Sequence, residues 1–109
     1  MCGALVVLCV AGDADALVEL KRATVSAAWE LAPGATTEEE ALRQLGEERP
    51  HVLVAFGDFA RLVRAARERS PDLRIVTDRD LPGATAVATS LEEVRGAVIG
   101  APRPGGPAR

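Results

Sequence analysis

Apolar residues in this sequence recur in short runs that alternate with stretches of helical spacing. The run from Ala4 to Val10 is continuous and rich in β-branched residues, which is typical of a strand covered on both faces. The run from His51 to Phe56 has the same character and predicts the central strand. Val25 to Leu31 alternates with period two, as an edge strand does, and shorter strands are predicted at Leu73 to Thr77 and Ala84 to Ala88.

The stretches between these runs carry helix start signals. Asp13 is placed to cap the first helix, and Thr37 with Glu40 has the spacing of a capping box for the second. Asp58 follows the central strand in the same strand-to-cap order, which predicts that it caps the third helix. Ser90 with Glu93 makes another capping box, which predicts a last helix that runs through Val98 and Ile99 and stops at Gly100.

The alternation of strand and helix predicts an α/β fold with a doubly wound parallel sheet of four to five strands. The expected strand order is 2-1-3-4-5, which is flavodoxin-like. The segment from Asp78 to Val87 offers only about ten residues for the last crossover, so the fourth helix is expected to be reduced or absent. Residues 1–100 are predicted to form this domain, and the Pro/Gly-rich residues 101–109 a flexible tail.

Composition narrows the classes of function. The chain has 109 residues and a formal charge of −3, and its Arg residues are interspersed with Glu, so we expect no nucleic-acid-binding face. Two Cys and one His form neither a disulfide framework nor a zinc site, so no metal or cofactor is expected. No apolar run approaches the ~20 residues of a membrane span, and we expect a cytoplasmic protein.

The order of elements resembles the receiver domain of bacterial response regulators, from Ala4 to Ile99. A receiver has an acidic pair after its first strand, a phosphate-accepting Asp at the end of its third, a hydroxyl after its fourth and a Lys after its fifth. In this sequence the acidic pair falls on Ala11 and Gly12, and the phosphoacceptor on Phe56. Thr77 matches the hydroxyl, and the Lys position falls near Ser90. The resemblance therefore implies a degenerate pseudo-receiver.

Two alternatives stay open at the carboxyl ends of the strands. Asp13, Asp58 and Asp78 could form a displaced acidic cluster, although capping explains the first two without a metal. Cys9 and the loop after it resemble the phosphocysteine loop of sugar phosphotransferase IIB domains, but Asp15 and its neighbours replace the hydroxyl donors and would repel phosphate. Cys9 within an apolar strand is expected to be a buried core residue.

The sequence thus favours a non-catalytic regulatory or protein-interaction module over an enzyme. Its partner would be another protein or a second copy, with a homodimer through the last strand and helix as one possibility. His51 is expected at the opposite end of the sheet, and Trp29 in the core or at a contact surface. The alternative is a small-ligand or phosphate-binding domain whose crevice is lined by Gly12, Asp13, Gly57, Asp58, Thr77 and Asp78.

Overall fold

The computed structural model describes residues 5–25 and 29–99, which form five strands and four helices. The strands are β1 (Leu5–Val10), β2 (Trp29–Leu31), β3 (Val52–Ala55), β4 (Arg74–Thr77) and β5 (Ala86–Val87). The helices are α1 (Ala14–Thr24), α2 (Glu38–Glu48), α3 (Ala60–Arg69) and α4 (Leu91–Ile99).

All five strands are parallel and lie in one sheet with the order β2-β1-β3-β4-β5, so the predicted fold class and strand order are confirmed. β3 is the central strand, as its apolar run predicts. Within the described ranges, no helix has the length and apolar character needed to cross a membrane.

Side chains of β1 alternate between two apolar layers. Leu8 and Val10 face the layer beneath α2 and α3, whereas Val7 and Cys9 face the layer beneath α1 and α4. All four are fully buried. This is why the strand is a continuous apolar run, since neither of its faces meets water.

The predicted strand from Val25 is shorter in the structure, where β2 begins at Trp29 and residues 26–28 lie outside the described part. The Val25 N–H still donates to the Lys21 carbonyl at 2.9 Å, so Val25 belongs to the end of α1. Trp29 is buried, and its Nε1 donates to the Thr24 carbonyl at 2.8 Å. Of the two positions expected for Trp29, the core or a contact surface, the structure shows the core.

Two of the four predicted caps, at Asp13 and Thr37, are confirmed, whereas at the start of α4 the Glu93 carboxylate accepts from the Thr89 N–H at 2.9 Å. Asp13 accepts from the Ala16 N–H at 2.8 Å, and Thr37 accepts from the Glu40 N–H at 3.1 Å. The prediction for Asp58 is wrong, because the N-cap residue of α3 is Phe59, and its side chain makes no capping hydrogen bond. The chain first passes a turn at Gly57, with φ +130°, and so enters the helix one residue later.

No helix connects β4 to β5, and residues 78–85, all within the described part, form a loop of turns. The Thr85 N–H donates to the Ile75 carbonyl at 2.7 Å, which starts a strand only two residues long. The prediction that the helix between the fourth and fifth strands is reduced or absent is therefore confirmed. The predicted fifth strand, Ala84 to Ala88, is shortened to Ala86–Val87. The predicted tail, 101–109, lies outside the described residues.

Candidate functional site

The residues predicted to form a site follow the carboxyl ends of the strands, where ligands bind in open parallel sheets. The pairing register aligns the last residues of three neighbouring strands, because Val10 is opposite Ala55 and Ala55 is opposite Thr77. The loops that leave β1, β3 and β4 consequently meet at one edge of the sheet. We call this the carboxyl edge, and it comprises residues 11–13, 56–58, 77–79 and 88.

After β1, the carboxyl edge is nonpolar where a receiver has its acidic pair. Ala11 is buried, and its N–H donates to the Ala35 carbonyl at 3.1 Å. Gly12 is exposed, and a side chain placed there would meet no atom within 4 Å. Asp13 is exposed, and its Oδ1 accepts from the Ala16 N–H. The first acidic side chain after β1 is therefore a helix cap.

After β3, the first side chain is the aromatic ring of Phe56. Its N–H donates to the Val10 carbonyl at 2.9 Å, so Phe56 still continues the sheet pairing. The ring is half-buried against the apolar layer of α1 and α4. Asp58 lies two residues further on and is exposed. The end of the central strand thus presents an aromatic surface where the resemblance expects a carboxylate.

After β4, the polar groups bond with one another. The buried Thr77 donates its hydroxyl hydrogen to the Arg79 carbonyl. Asp78 Oδ1 accepts from the Gly57 N–H at 3.2 Å and from Arg79 Nε at 3.1 Å, and its Oδ2 accepts from Arg79 Nη2 at 3.4 Å. The Asp78 carboxylate thus ties the loop after β3 to the loop after β4.

Arg79 is a charged residue of the carboxyl edge that is not among the predicted site residues. Its pKa is raised by its hydrogen bond to Asp78, then by the negative charge of Asp78, and also by the charge of Asp58. Arg79 therefore supplies a fixed positive charge beside two carboxylates. The signal was visible in the alternating charges Asp78-Arg79-Asp80, which the sequence analysis treated only as a polar loop.

The six predicted site residues divide into two groups. Gly57 donates directly to Asp78, and Thr77 and Asp78 are each hydrogen-bonded to Arg79. The charge of the exposed Asp58 also raises the pKa of this arginine. Gly12 and Asp13 belong to the start of α1. Within the described part of the chain, no group of three or more His, Cys, Asp or Glu side chains could hold a metal ion.

The end of β5 completes the edge. β5 ends at Val87, so the first residue after this strand is the buried Ala88 rather than Ser90, where the sequence placed the lysine position. The Ala88 N–H donates to the Thr77 carbonyl at 2.8 Å. This pairing continues the sheet one residue beyond β5 and leaves a methyl group at the end of the strand.

Cys9 is a fully buried thiol on the α1 and α4 side of β1. Burial raises its pKa to about 11, although a hydrogen bond with Thr24 and the charge of Lys21 act in the opposite direction. Because the thiolate is the nucleophilic form, this thiol is unreactive near neutral pH. The expectation that Cys9 is a core residue is confirmed.

His51 lies at the other end of the sheet, just before β3, as expected. Its imidazole Nδ1 accepts from the Val6 N–H at 3.1 Å, and its backbone N–H donates to the Val6 carbonyl at 2.8 Å. The imidazole therefore extends the pairing of β1 and β3 by one residue, a structural role that accounts for its position.

The sequence matches no family model and no curated protein, whereas the fold matches solved structures closely. The chemotaxis protein CheY4 of Vibrio cholerae superposes with a TM-score of 0.76 at 18% identity, covering 91% of this chain and 99% of that chain. The signal receiver domain of an HD domain-containing protein from Pseudomonas fluorescens Pf-5 has a TM-score of 0.74 at 16% identity, covering 90% and 94%.

HP1043, an orphan response regulator of Helicobacter pylori, superposes with a TM-score of 0.73 at 10% identity, covering 93% of this chain and 98% of that chain. The three structures share nearly their full length with this chain but little of its sequence. The chain therefore has the fold of response-regulator receiver domains.

Proposed function

We propose that this chain is a non-catalytic regulatory module that binds another protein and takes no phosphoryl group. The observation that carries the proposal is the pair of nonpolar residues, Ala11 and Phe56, that follows β1 and β3. These are the places where a receiver has carboxylates for Mg²⁺ and for the phosphoryl group. A methyl group and a benzyl group can serve neither purpose.

The chemistry that is missing is specific. Phosphoryl transfer to a carboxylate brings anionic oxygens together, and Mg²⁺ held by clustered acids must neutralise them. The one carboxylate tied into the carboxyl edge is that of Asp78, and both its oxygens already accept hydrogen bonds from Arg79. The half-exposed guanidinium of Arg79 thus already places a positive charge beside this carboxylate.

The alternative function, a phosphate or small-ligand site in the same crevice, receives less support. Asp13, Asp58 and Asp78 give the edge negative charge, and the Gly57 N–H, which could bind an anion, donates to Asp78 instead. A phosphocarrier role for Cys9 would require a thiolate where burial stabilises the thiol. Transfer to Cys9 would appear as a phosphoryl adduct in the test of the proposed function, and binding of inorganic phosphate would appear as NMR shifts at the carboxyl edge.

The domain's binding surfaces would then be its helices and its open sheet edge. Receiver domains act by contacting other proteins, and β5 is an edge strand of this sheet. Val87 and Leu91, at β5 and the start of α4, are 41% and 36% exposed. A homodimer through this last strand and helix remains our prediction for self-association, and light scattering over a concentration series tests it, with a monomer at high micromolar concentration counting against it.

The proposed function is tested by incubating the purified chain with acetyl phosphate and Mg²⁺ and measuring its intact mass. We expect no phosphoryl adduct, while a receiver domain with a complete acidic cluster, treated in parallel, gains one. An adduct that disappears in Asp58→Ala or Cys9→Ser would refute the proposal and identify the acceptor.

A gain-of-function variant provides the matching control. Gly12→Asp places a carboxylate in open space, and Phe56→Asp restores one after β3. We expect this double variant to bind Mg²⁺ more tightly than the parent chain, with NMR shifts confined to the carboxyl edge. Mg²⁺ shifts of equal size in the parent chain would contradict the proposal.

A further inference from the structure

The missing helix between β4 and β5 leaves one side of β5 uncovered. Ala86 packs against the layer of α1 and α4, so its neighbours Thr85 and Val87 point to the opposite face, beside α3. The hydrogen bond from Arg67 of α3 to the Thr85 hydroxyl, 3.0 Å long, agrees with this direction. Val87 is 41% exposed because no helix lies over it.

A groove runs between α3 and the loop that replaces the helix. Its volume is about 320 Å³. Along α3 it extends from Ala60 to Glu68, which is roughly 12 Å at about 1.5 Å per residue, or about two helical turns. We call it the α3 groove, and its lining residues are Ala60, Arg64, Arg67, Glu68, Pro82 and Gly83.

The loop side of the α3 groove is fixed in place. Arg67 donates to the Pro71 carbonyl at 2.6 Å and to the Gly83 carbonyl at 2.9 Å, besides the Thr85 hydroxyl. Gly83 has φ +94°, and a Cβ there would lie 3.3 Å from Val63 Cγ1, so the loop backbone packs directly on α3. The groove is therefore a preformed feature of the fold.

The rim of the groove is positively charged. Arg61 and Arg64 are exposed on α3, and neither takes part in the salt bridges found within residues 5–25 and 29–99. Glu68 is the acidic residue among the groove's lining side chains. Arg64 and Arg67 both line the groove beside Glu68, and Arg61 lies one turn before Arg64 on the same helix, so positive side chains outnumber the one acidic side chain of the lining.

We propose that the α3 groove binds an acidic amphipathic helix of a partner protein, which occupies the place of the missing helix. The partner's apolar stripe, two to three turns long, would cover the groove and Val87, and its carboxylates would pair with Arg61 and Arg64. This inference rests on the proposed function, since it identifies the surface and the chemistry of the protein partner. A second copy fits less well, because the acidic helix of this chain, α2, turns its buried face, with Ala41 and Leu45, into its own core.

The test uses the full chain, labelled with ¹⁵N, and a synthetic 14-residue helical peptide of Leu, Ala and Glu with Leu at positions i, i+3, i+7 and i+10. We expect saturable shifts of amides in α3 and residues 83–87. Arg64→Glu should weaken binding about five- to tenfold, as expected for reversing one rim charge. Ala60→Leu, which fills the groove, should weaken it at least as much.

Arg22→Glu is the matched control, because Arg22 is an exposed arginine on α1, on the other face of the sheet, and should leave the affinity unchanged. The proposal is overturned if a peptide with Lys in place of each Glu binds equally well, if the shifts map to α1 and α4, or if Arg64→Glu has no effect. Shifts of the α3 amides on concentrating the free chain would also overturn it, by making a second copy the occupant of the groove, whereas a homodimer through β5 and α4 would shift the amides of those two elements and not of α3. If the peptide does not bind at the α3 groove and acetyl phosphate gives no adduct, the groove proposal fails and the proposed function stands. A phosphoryl adduct would refute the proposed function itself.

Discussion

Arg67 is predicted to hold the connection between β4 and β5 in place of the missing helix. Its half-buried guanidinium bonds to the Pro71 carbonyl, the Gly83 carbonyl and the Thr85 hydroxyl at 2.6, 2.9 and 3.0 Å. Arg67→Met keeps an apolar stem of similar length and removes all three bonds. The perturbation is therefore confined to the hydrogen bonds of one group.

The expected cost follows from the exposure of the acceptors. A net hydrogen bond contributes about 0.5–1.5 kcal/mol, and charged donors contribute more when buried. The two carbonyls are near the surface and regain water in the variant, so we take the low end for each and more for the half-buried bond to Thr85. The sum is about 2 kcal/mol of the free energy of unfolding. Arg67→Lys should lose about half as much, because an ammonium lacks the planar fork that reaches separate acceptors.

Urea denaturation measures this cost. With a slope of about 1.5 kcal/mol per molar urea, 2 kcal/mol lowers the midpoint by about 1.3 M. Hydrogen exchange should locate the change at the amides of Thr85 and Ala88, which pair β5 with β4. Arg64→Met is the control on the same helix. The reasoning is refuted if Arg67→Met costs less than about 0.5 kcal/mol, or if both variants affect the Thr85 amide equally.

Two further predictions concern side chains of the first strand and its loop. Because burial raises the pKa of Cys9 from 9.0 to about 11, the unfolded chain loses this proton first on raising the pH. The free energy of unfolding should thus fall by about 1.4 kcal/mol per pH unit between pH 9 and 11, on the order of 2–3 kcal/mol in all. Cys9→Ala should lack this slope, and equal slopes in both proteins would show that the thiol is accessible. Asp13→Ala should cost about 1 kcal/mol in urea denaturation through loss of the cap, whereas Asp15→Ala should cost a few tenths, and equal costs would contradict the capping role.

The sheet was predictable from the sequence because its strands are buried on both faces. A strand such as β3 needs an uninterrupted run of apolar residues, and every residue from Val52 to Ala55 is apolar and buried. Such runs, separated by helices, allow few arrangements of a parallel sheet. The edge strands were less predictable because they are short. β2 and β5 have two or three residues each, so their ends are set by hydrogen bonds to distant partners such as Ile75.

The candidate site was predictable in position but not in its bonding. Strand ends identify Gly57, Thr77 and Asp78, since parallel strands end at one edge of a sheet. The sequence does not reveal that Asp78 accepts from the Gly57 N–H, 21 residues away, or that Arg79 turns back onto it. The misplaced cap at Asp58 has a similar origin, because the turn at Gly57 depends on this contact with the next loop.

The same loop connects the carboxyl edge with the α3 groove, which bears on how the module would act. Residues 78–85 are held at one end by the bonds of Asp78 and at the other by those of Arg67. A receiver that is switched by phosphorylation must populate two arrangements, and a ligand shifts a population only through different affinities for them. Here both ends of the connecting loop are held by hydrogen bonds to other parts of the same chain. Under the proposed function, we therefore expect the domain to present one constant binding surface, with its regulation coming from the supply of its partner.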